Sequence, residues 1–190
     1  MQGIPSLPEL RKMNIESLEK ACIEIREFIL NSTSEKAGHL ASSLGVTELT
    51  VALHITLDTP EDVLLWDVGH QAYVHKVITD RADVFKSNRK KNGPSGFPNR
   101  NESNFDSFGV GHSSTALSAL IGFARADVLI NRNRHKVAVV GDGAFTGGMV
   151  YEAMNDAGSK GDDILLIIND NGFAIEENVG ALHDSGEYKE

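Results

Sequence analysis

The sequence is short of three things, and each shortage excludes a class of protein. It has a single cysteine, Cys22, so no internal disulfide can form and nothing suggests a secreted scaffold. Cys22 falls on an apolar helical stripe, where a thiol packs as a small buried hydrophobe. Basic residues are outnumbered, 18 Lys and Arg against 27 Asp and Glu, for a formal net charge of −9. That balance speaks against a nucleic-acid binder, which carries a basic face, yet it leaves room for a local anion site. No apolar run reaches the length of about 18 residues at which a membrane-spanning helix enters consideration. The opening MQGIPSLPELRKM lacks the basic start and continuous apolar stretch of a secretory signal. No membrane contact and a cytoplasmic location are therefore the expectations.

What is present is an ordinary globular composition, 41% hydrophobic and 24% charged over 190 residues. One domain with a substantial core fits that length. Ile15, Leu18, Cys22, Ile25 and Ile29 recur at spacings of three and four, predicting an amphipathic helix over 14–30. A second, largely apolar helix is expected over 47–57. VLLW, Val63 to Trp66, reads as a buried strand that ends in the polar loop Asp67-Val68-Gly69-His70. From about 85 to 111 the periodicity fails in a stretch rich in Asn, Ser, Gly and Pro. This is a long connection and a candidate mobile or site-covering loop; its Lys86, Arg89, Lys90, Lys91 and Arg100 read as a solvated basic loop, with contact to a phosphate as the alternative. Ser113 and Ser114 are placed to cap a helix over about 115–130. Strand KVAVV, a helix through Tyr151 to Asp156 stopped by Gly158, and strand ILLII follow. Strands alternating with helices predict an α/β, doubly wound, mostly parallel sheet with helices on both faces.

Two apolar runs end in oxygen-bearing side chains. VVGDG places Asp142 between glycines at the end of one predicted strand, and INDN places Asn169, Asp170 and Asn171 at the end of the next. In open parallel sheets ligands bind outside the carboxyl ends of the strands. Gly141 and Gly143 allow a tight turn, and the following helix offers free N–H groups to a diphosphate. A carboxylate alone would repel that anion. A divalent cation resolves the conflict, since Mg²⁺ takes one or two protein oxygens together with phosphate oxygens. Asp142 and Asn171 are thus expected at neighbouring strand ends, converging on one crevice, with Asp142 in a turn and outside any helix. Two other glycine motifs fail on spacing: a dinucleotide fingerprint meets Thr146 where it needs Gly or Ala, and a P-loop meets Met149 where it needs Lys.

These residues carry a resemblance. GDG followed by NDN, with Asp142 and Asn171 29 positions apart, is similar to the thiamine-diphosphate motif. KAGHLASSLGVTELTVALH, WDVGHQAYVHKVITDR, SGFPNRNES, GVGHSSTALSA, GDGAFTGGMVYEAMNDAG and NDNGFAIEENVGAL together resemble the N-terminal part of the 1-deoxy-D-xylulose-5-phosphate synthase family, over nearly the whole chain. The resemblance implies a single, partial diphosphate-binding domain over 1–190 of a transketolase-like transferase. That enzyme uses thiamine diphosphate and Mg²⁺ to join pyruvate to glyceraldehyde 3-phosphate with loss of CO₂, in isoprenoid precursor synthesis. The cofactor carries the carbanion chemistry and the protein supplies orientation and charge. Carried across, Asp142 and Asn171 would be metal ligands, with the Phe173 carbonyl as a third. Gly143 and Ala144 would touch the diphosphate, and His70, Gly111, His112 and Ser113, with Asn171, would line the cofactor. His39 and His70 would be the catalytic histidines, His39 facing the substrate. His54 and His75 read as structural, His135 and His183 as surface residues. Family members are dimers, so a homodimer or association with further domains is expected.

The sequence also departs from that pattern. Gly172-Phe173 stands where the family has Glu-Met or Asn-Met, which a backbone ligand tolerates but which loosens the loop. The family's chain is several times longer and carries, on a pyrimidine-binding domain, the glutamate that activates the cofactor. Without that segment the 190 residues are expected to be inactive alone. A fragment of a synthase, one subunit of a split enzyme and a non-catalytic cofactor-binding or structural protein all fit the sequence. A Mg²⁺-dependent hydrolase does not, for want of a second carboxylate cluster or a nucleophile.

Overall fold

The computed structural model describes residues 4–33 and 40–172. A short helix α1 (Leu7–Leu10) opens with a capping box in which Ser6 and Glu9 serve each other's backbone. It leads to α2 (Ile15–Thr33), α3 (Leu40–Gly45) and α4 (Thr47–Thr56). Cys22, Ile25 and Ile29 are buried on α2 as their spacing implied, but Ile15 is 76% exposed. It is the first residue of the helix, so its side chain lies beyond the packed turns. Strand β1 (Val63–Trp66) is buried throughout. Helix α5 (Tyr73–Lys76) and a turn over Val77–Arg81, broken at Thr79–Asp80, follow.

The long connection holds one short 3-10 turn, Phe85–Ser87, and no other regular element until α6 (Ala116–Leu129). It is nevertheless tied down, since Asn88 and Asp106 within it are buried. Strand β2 (Lys136–Gly141), a single turn α7 (Asp142–Phe145), helix α8 (Gly148–Lys160) and strand β3 (Leu165–Asn169) complete the order. Helix α8 runs past Gly158 and stops at Gly161, whose φ of +66° supplies the left-handed cap. A mid-helix glycine is only a modest cost and is no stop by itself.

The three strands are parallel in the order β1-β2-β3, with Trp66 beside Val139 and Gly141 beside Asn169. Leu64, Trp66, Val137 and Val139 point to one face, beneath Leu53 and Leu57 at the end of α4. Val63, Leu65 and Ala138 point to the other, beneath Ala116 and Leu120 of α6, and α8 packs against α6 through Val150, Ala153 and Ala157. Helices cover both faces, the expected α/β architecture, because alternate residues of a strand face opposite ways. The carboxyl ends of all three strands are thereby left open at one edge.

Candidate functional site at the strand ends

At the end of β1 the backbone makes a strained turn. Val68 has φ of +57°, and the Gly69 N–H donates to the Asp67 carbonyl at 2.5 Å. A β-branched residue in that region is an outlier, the kind of stored strain that gathers at functional sites. Gly69 is required there: φ is +88°, and an added Cβ would lie 2.5 Å from Pro98 and 2.6 Å from Val110. The long connection therefore closes directly over this turn. His70, half-buried, accepts a hydrogen bond from the Ser43 hydroxyl at its carbonyl, 3.0 Å away. Its ring carbon Cε1 reaches to 4.0 Å from the Cβ position of Gly141, on the next strand end.

Asp67 is wholly buried, and both carboxylate oxygens are used on α6: Oδ1 accepts from Ser114 N–H at 2.7 Å and Oδ2 from Ala116 N–H at 3.0 Å. This carboxylate caps α6, where the serines were expected to do so. The Ser114 hydroxyl instead donates to the Ala144 carbonyl at 2.7 Å. Ser113, His112 and Gly111 are exposed and lead into Ser114.

At the end of β2, Asp142 is half-buried and opens the single turn α7, the first residue of a helix and not part of a free turn. Its Oδ1 accepts from Gly143 N–H at 2.8 Å, and Oδ2 accepts from Asn171 N–H at 3.4 Å. Asp142 and Asn171 are thus brought together from adjacent strand ends. Gly143 is half-buried and Ala144 buried in the same turn. Gly172 has φ of +76°, so glycine suits the position where the sequence departs from its resemblance. His39 and Phe173 lie outside the described residues.

The donors gathered here suit a hard cation. A carboxylate offers about four lone-pair directions, so two N–H bonds leave Asp142 able to take a ligand, and Asn171 adds an amide. Among the described residues no group of three His, Cys, Asp or Glu is poised to hold a metal. A hollow of about 260 Å³ lies at the opposite, amino end of the strands, among Thr56, Lys136 and Leu165, and shares nothing with this site.

Beside the site lies a buried polar relay that sequence reading left as two structural histidines. His54 Nε2 lies 2.8 Å from His75 Nδ1, and His75 Nε2 lies 2.7 Å from Asp106 Oδ1. Arg81 grips both Asp106 oxygens, at 2.6 and 2.8 Å, and Asn99 N–H adds a third donor. Lys76 donates to the Ser95 carbonyl and to Glu102. Burial pushes both imidazoles down from the ordinary histidine value, His54 well below it. Burial alone would raise the Asp106 carboxyl, but hydrogen bonds from His75 and Arg81 hold it well below the usual carboxylate range. The relay fastens 95–106 to α5, which begins three residues after His70. His135 is exposed, as expected.

Comparison with known proteins gives one consistent answer. The family model described as 1-deoxy-D-xylulose-5-phosphate synthase matches residues 1–187. The 1-deoxy-D-xylulose-5-phosphate synthase of Cytophaga hutchinsonii is 53% identical over 97% of this chain and 29% of its own length. Those of Azobacteroides pseudotrichonymphae and Salmonella paratyphi A are 49% and 52% identical over 96% and 95% of the chain, each again over 29% of the relative. The chain thus spans less than a third of the relatives it matches. Among the described residues no helix is long and apolar enough to cross a membrane.

Proposed function

The chain belongs to the 1-deoxy-D-xylulose-5-phosphate synthase family, and from that premise we propose that it forms the diphosphate-binding part of such a synthase. The complete enzyme is a transketolase-type transferase that joins pyruvate to glyceraldehyde 3-phosphate with loss of CO₂, in isoprenoid precursor synthesis. Its working form is a homodimer, or this chain associated with further domains, in the cytoplasm. Bound thiamine diphosphate supplies a stabilised carbanion at its thiazolium ring; everything else falls to the protein. The meeting of Asp142 with Asn171 at two adjacent strand ends, 3.4 Å from carboxylate oxygen to backbone nitrogen, carries this reading.

In it, Asp142 and the Asn171 amide oxygen hold Mg²⁺, with the Phe173 carbonyl as a further ligand. Gly143 and Ala144 face the diphosphate with their backbone, where no side chain beyond a methyl intervenes. His70, seated against Gly141, and the run Gly111-His112-Ser113 line the cofactor. His39 and His70 hold and move protons on the substrate side. The loop closed over Gly69 keeps water from that side, strengthening each electrostatic contact inside. Residues 1–190 by themselves bind the cofactor weakly and do not turn over.

Calorimetry with and without Mg²⁺ tests this. Binding of thiamine diphosphate should require the metal, and Asp142→Ala should abolish it. Equal binding in the presence of a chelator would remove the metal site from the scheme.

A further inference from the structure

Ser114 has no part in the reading above, yet it joins the segments that follow β1 and β2, through Asp67 and Ala144. We propose that Ser114 is a positioning residue for the diphosphate-holding turn, fastening Ala144 from below while Asp67 fastens Ser114. This rests on the reading of Gly143 and Ala144 as diphosphate contacts.

Ser114 is 6% exposed and has φ of +67°, a conformation that costs a non-glycine residue free energy and persists only where its surroundings hold it. The holder is Asp67, whose buried Oδ1 accepts the Ser114 N–H at 2.7 Å. A carboxylate accepting from a backbone N–H makes a charge-assisted bond, stronger than a neutral one, and here it offsets the strain. The unusual φ aims the hydroxyl away from α6, which it does not cap, and at the Ala144 carbonyl 2.7 Å away.

The fit is close on the other side too. A Cβ added to Gly147 would fall 2.1 Å from Ser114 Oγ and 2.9 Å from its Cβ. Gly147 is thus absent of side chain because Ser114 occupies that space. The hydroxyl fixes the peptide that follows Ala144, and with it the direction in which Gly143 and Ala144 present their backbone. Two further side-chain bonds reach this turn from within it: Asp142 Oδ1 accepts the Gly143 N–H, and the exposed Thr146 hydroxyl donates to the Gly143 carbonyl at 2.8 Å, where it competes with water. Ser114 supplies the dry, stiff contact.

Ser114→Gly separates positioning from stability, because glycine adopts positive φ freely and loses only the small hydroxymethyl group. The variant should melt close to the parent. Amide hydrogen exchange at 143–148 should quicken in the cofactor-free chain while 117–129 is unchanged, and the Kd for thiamine diphosphate with Mg²⁺ should rise about tenfold, the scale of one hydrogen bond lost from a preorganised contact. Asp67→Asn, which cannot accept both N–H groups, should shift exchange in the same direction and extend it to the start of α6. Unchanged exchange at 143–148 in Ser114→Gly overturns the proposal, whether or not cofactor binds. Unchanged affinity with quickened exchange overturns it as well, by showing that the turn's order does not matter to the ligand. A parent chain that binds no cofactor at all defeats the diphosphate reading instead, and exchange alone then decides whether Ser114 holds the turn.

Discussion

At the scale of single residues, the His54–His75–Asp106 relay has one self-consistent set of protons. His75 donates from Nε2 to Asp106 and accepts at Nδ1 from His54 Nε2–H, and His54 Nδ1 accepts from the Thr59 hydroxyl at 3.0 Å. Both rings are then neutral, as their burial demands, and no donor faces a donor. With both rings neutral, the Arg81 guanidinium balances the Asp106 charge at 2.6 Å. Protonating either ring would break this order, so the folded state refuses a proton that the unfolded chain accepts near pH 6.5. Histidines with lowered values in the fold contribute no penalty at high pH and a growing one as pH falls through that unfolded value. Asp106 acts later and in the same direction, since its depressed carboxyl loses its contribution only below the ordinary aspartate value of about 3.9. Thermal melts should therefore show the melting temperature falling between about pH 7.5 and pH 5, well before carboxylates titrate. A flat profile across that range would mean that the rings are not held neutral.

At the scale of elements, the strands differ more in surroundings than in sequence. VLLW and LLIIN look alike, yet β1 is buried throughout while Leu165 and Ile168 of β3 are 52% and 45% exposed. Leu65→Ala should cost about 2–5 kcal/mol, transfer plus cavity. Leu165→Ala, with half its surface already wet, should cost about 1 kcal/mol. Denaturant midpoints at constant slope would measure both, and equal losses would contradict the packing. Periodicity made the strands, the order of helices and the two oxygen-bearing strand ends legible, because each is a local pattern. It could not tell β3 from β1, since an apolar run does not say what covers it. It also misjudged two helix ends. Gly158 looked like a stop, but only Gly161 takes the left-handed φ, and the cap of α6 comes from Asp67, 47 positions before Ser114. His75 and Asp106 meet across 31 positions. Such pairings leave no periodic trace, so the two oxygen-bearing strand ends could be read from the sequence and the residues that hold them in shape could not.

At the scale of the whole molecule, the proposed function assigns the described fold cofactor seating and not turnover. Under the proposed function each residue assigned to the site would contact a diphosphate, a metal or the near side of the cofactor, and the described ones lie at one open edge of a three-stranded sheet. The family resemblance places the glutamate that activates the cofactor on a pyrimidine-binding domain, and the chain spans only 29% of the relatives' length. General acid–base help of that kind is worth about 10²–10⁴-fold, and fixing the far end of the cofactor adds effective concentration on top. A second copy of residues 1–190 repeats the same seat and supplies neither. Assayed with pyruvate, glyceraldehyde 3-phosphate, Mg²⁺ and thiamine diphosphate, residues 1–190 should give no detectable product. Adding the remaining domains of a relative as a separate polypeptide should restore turnover, and Asp142→Ala should then abolish it again. Turnover by residues 1–190 alone would mean that this sheet edge activates the cofactor by itself, and the division of labour drawn from Asp142, Asn171 and His70 would have to be redrawn.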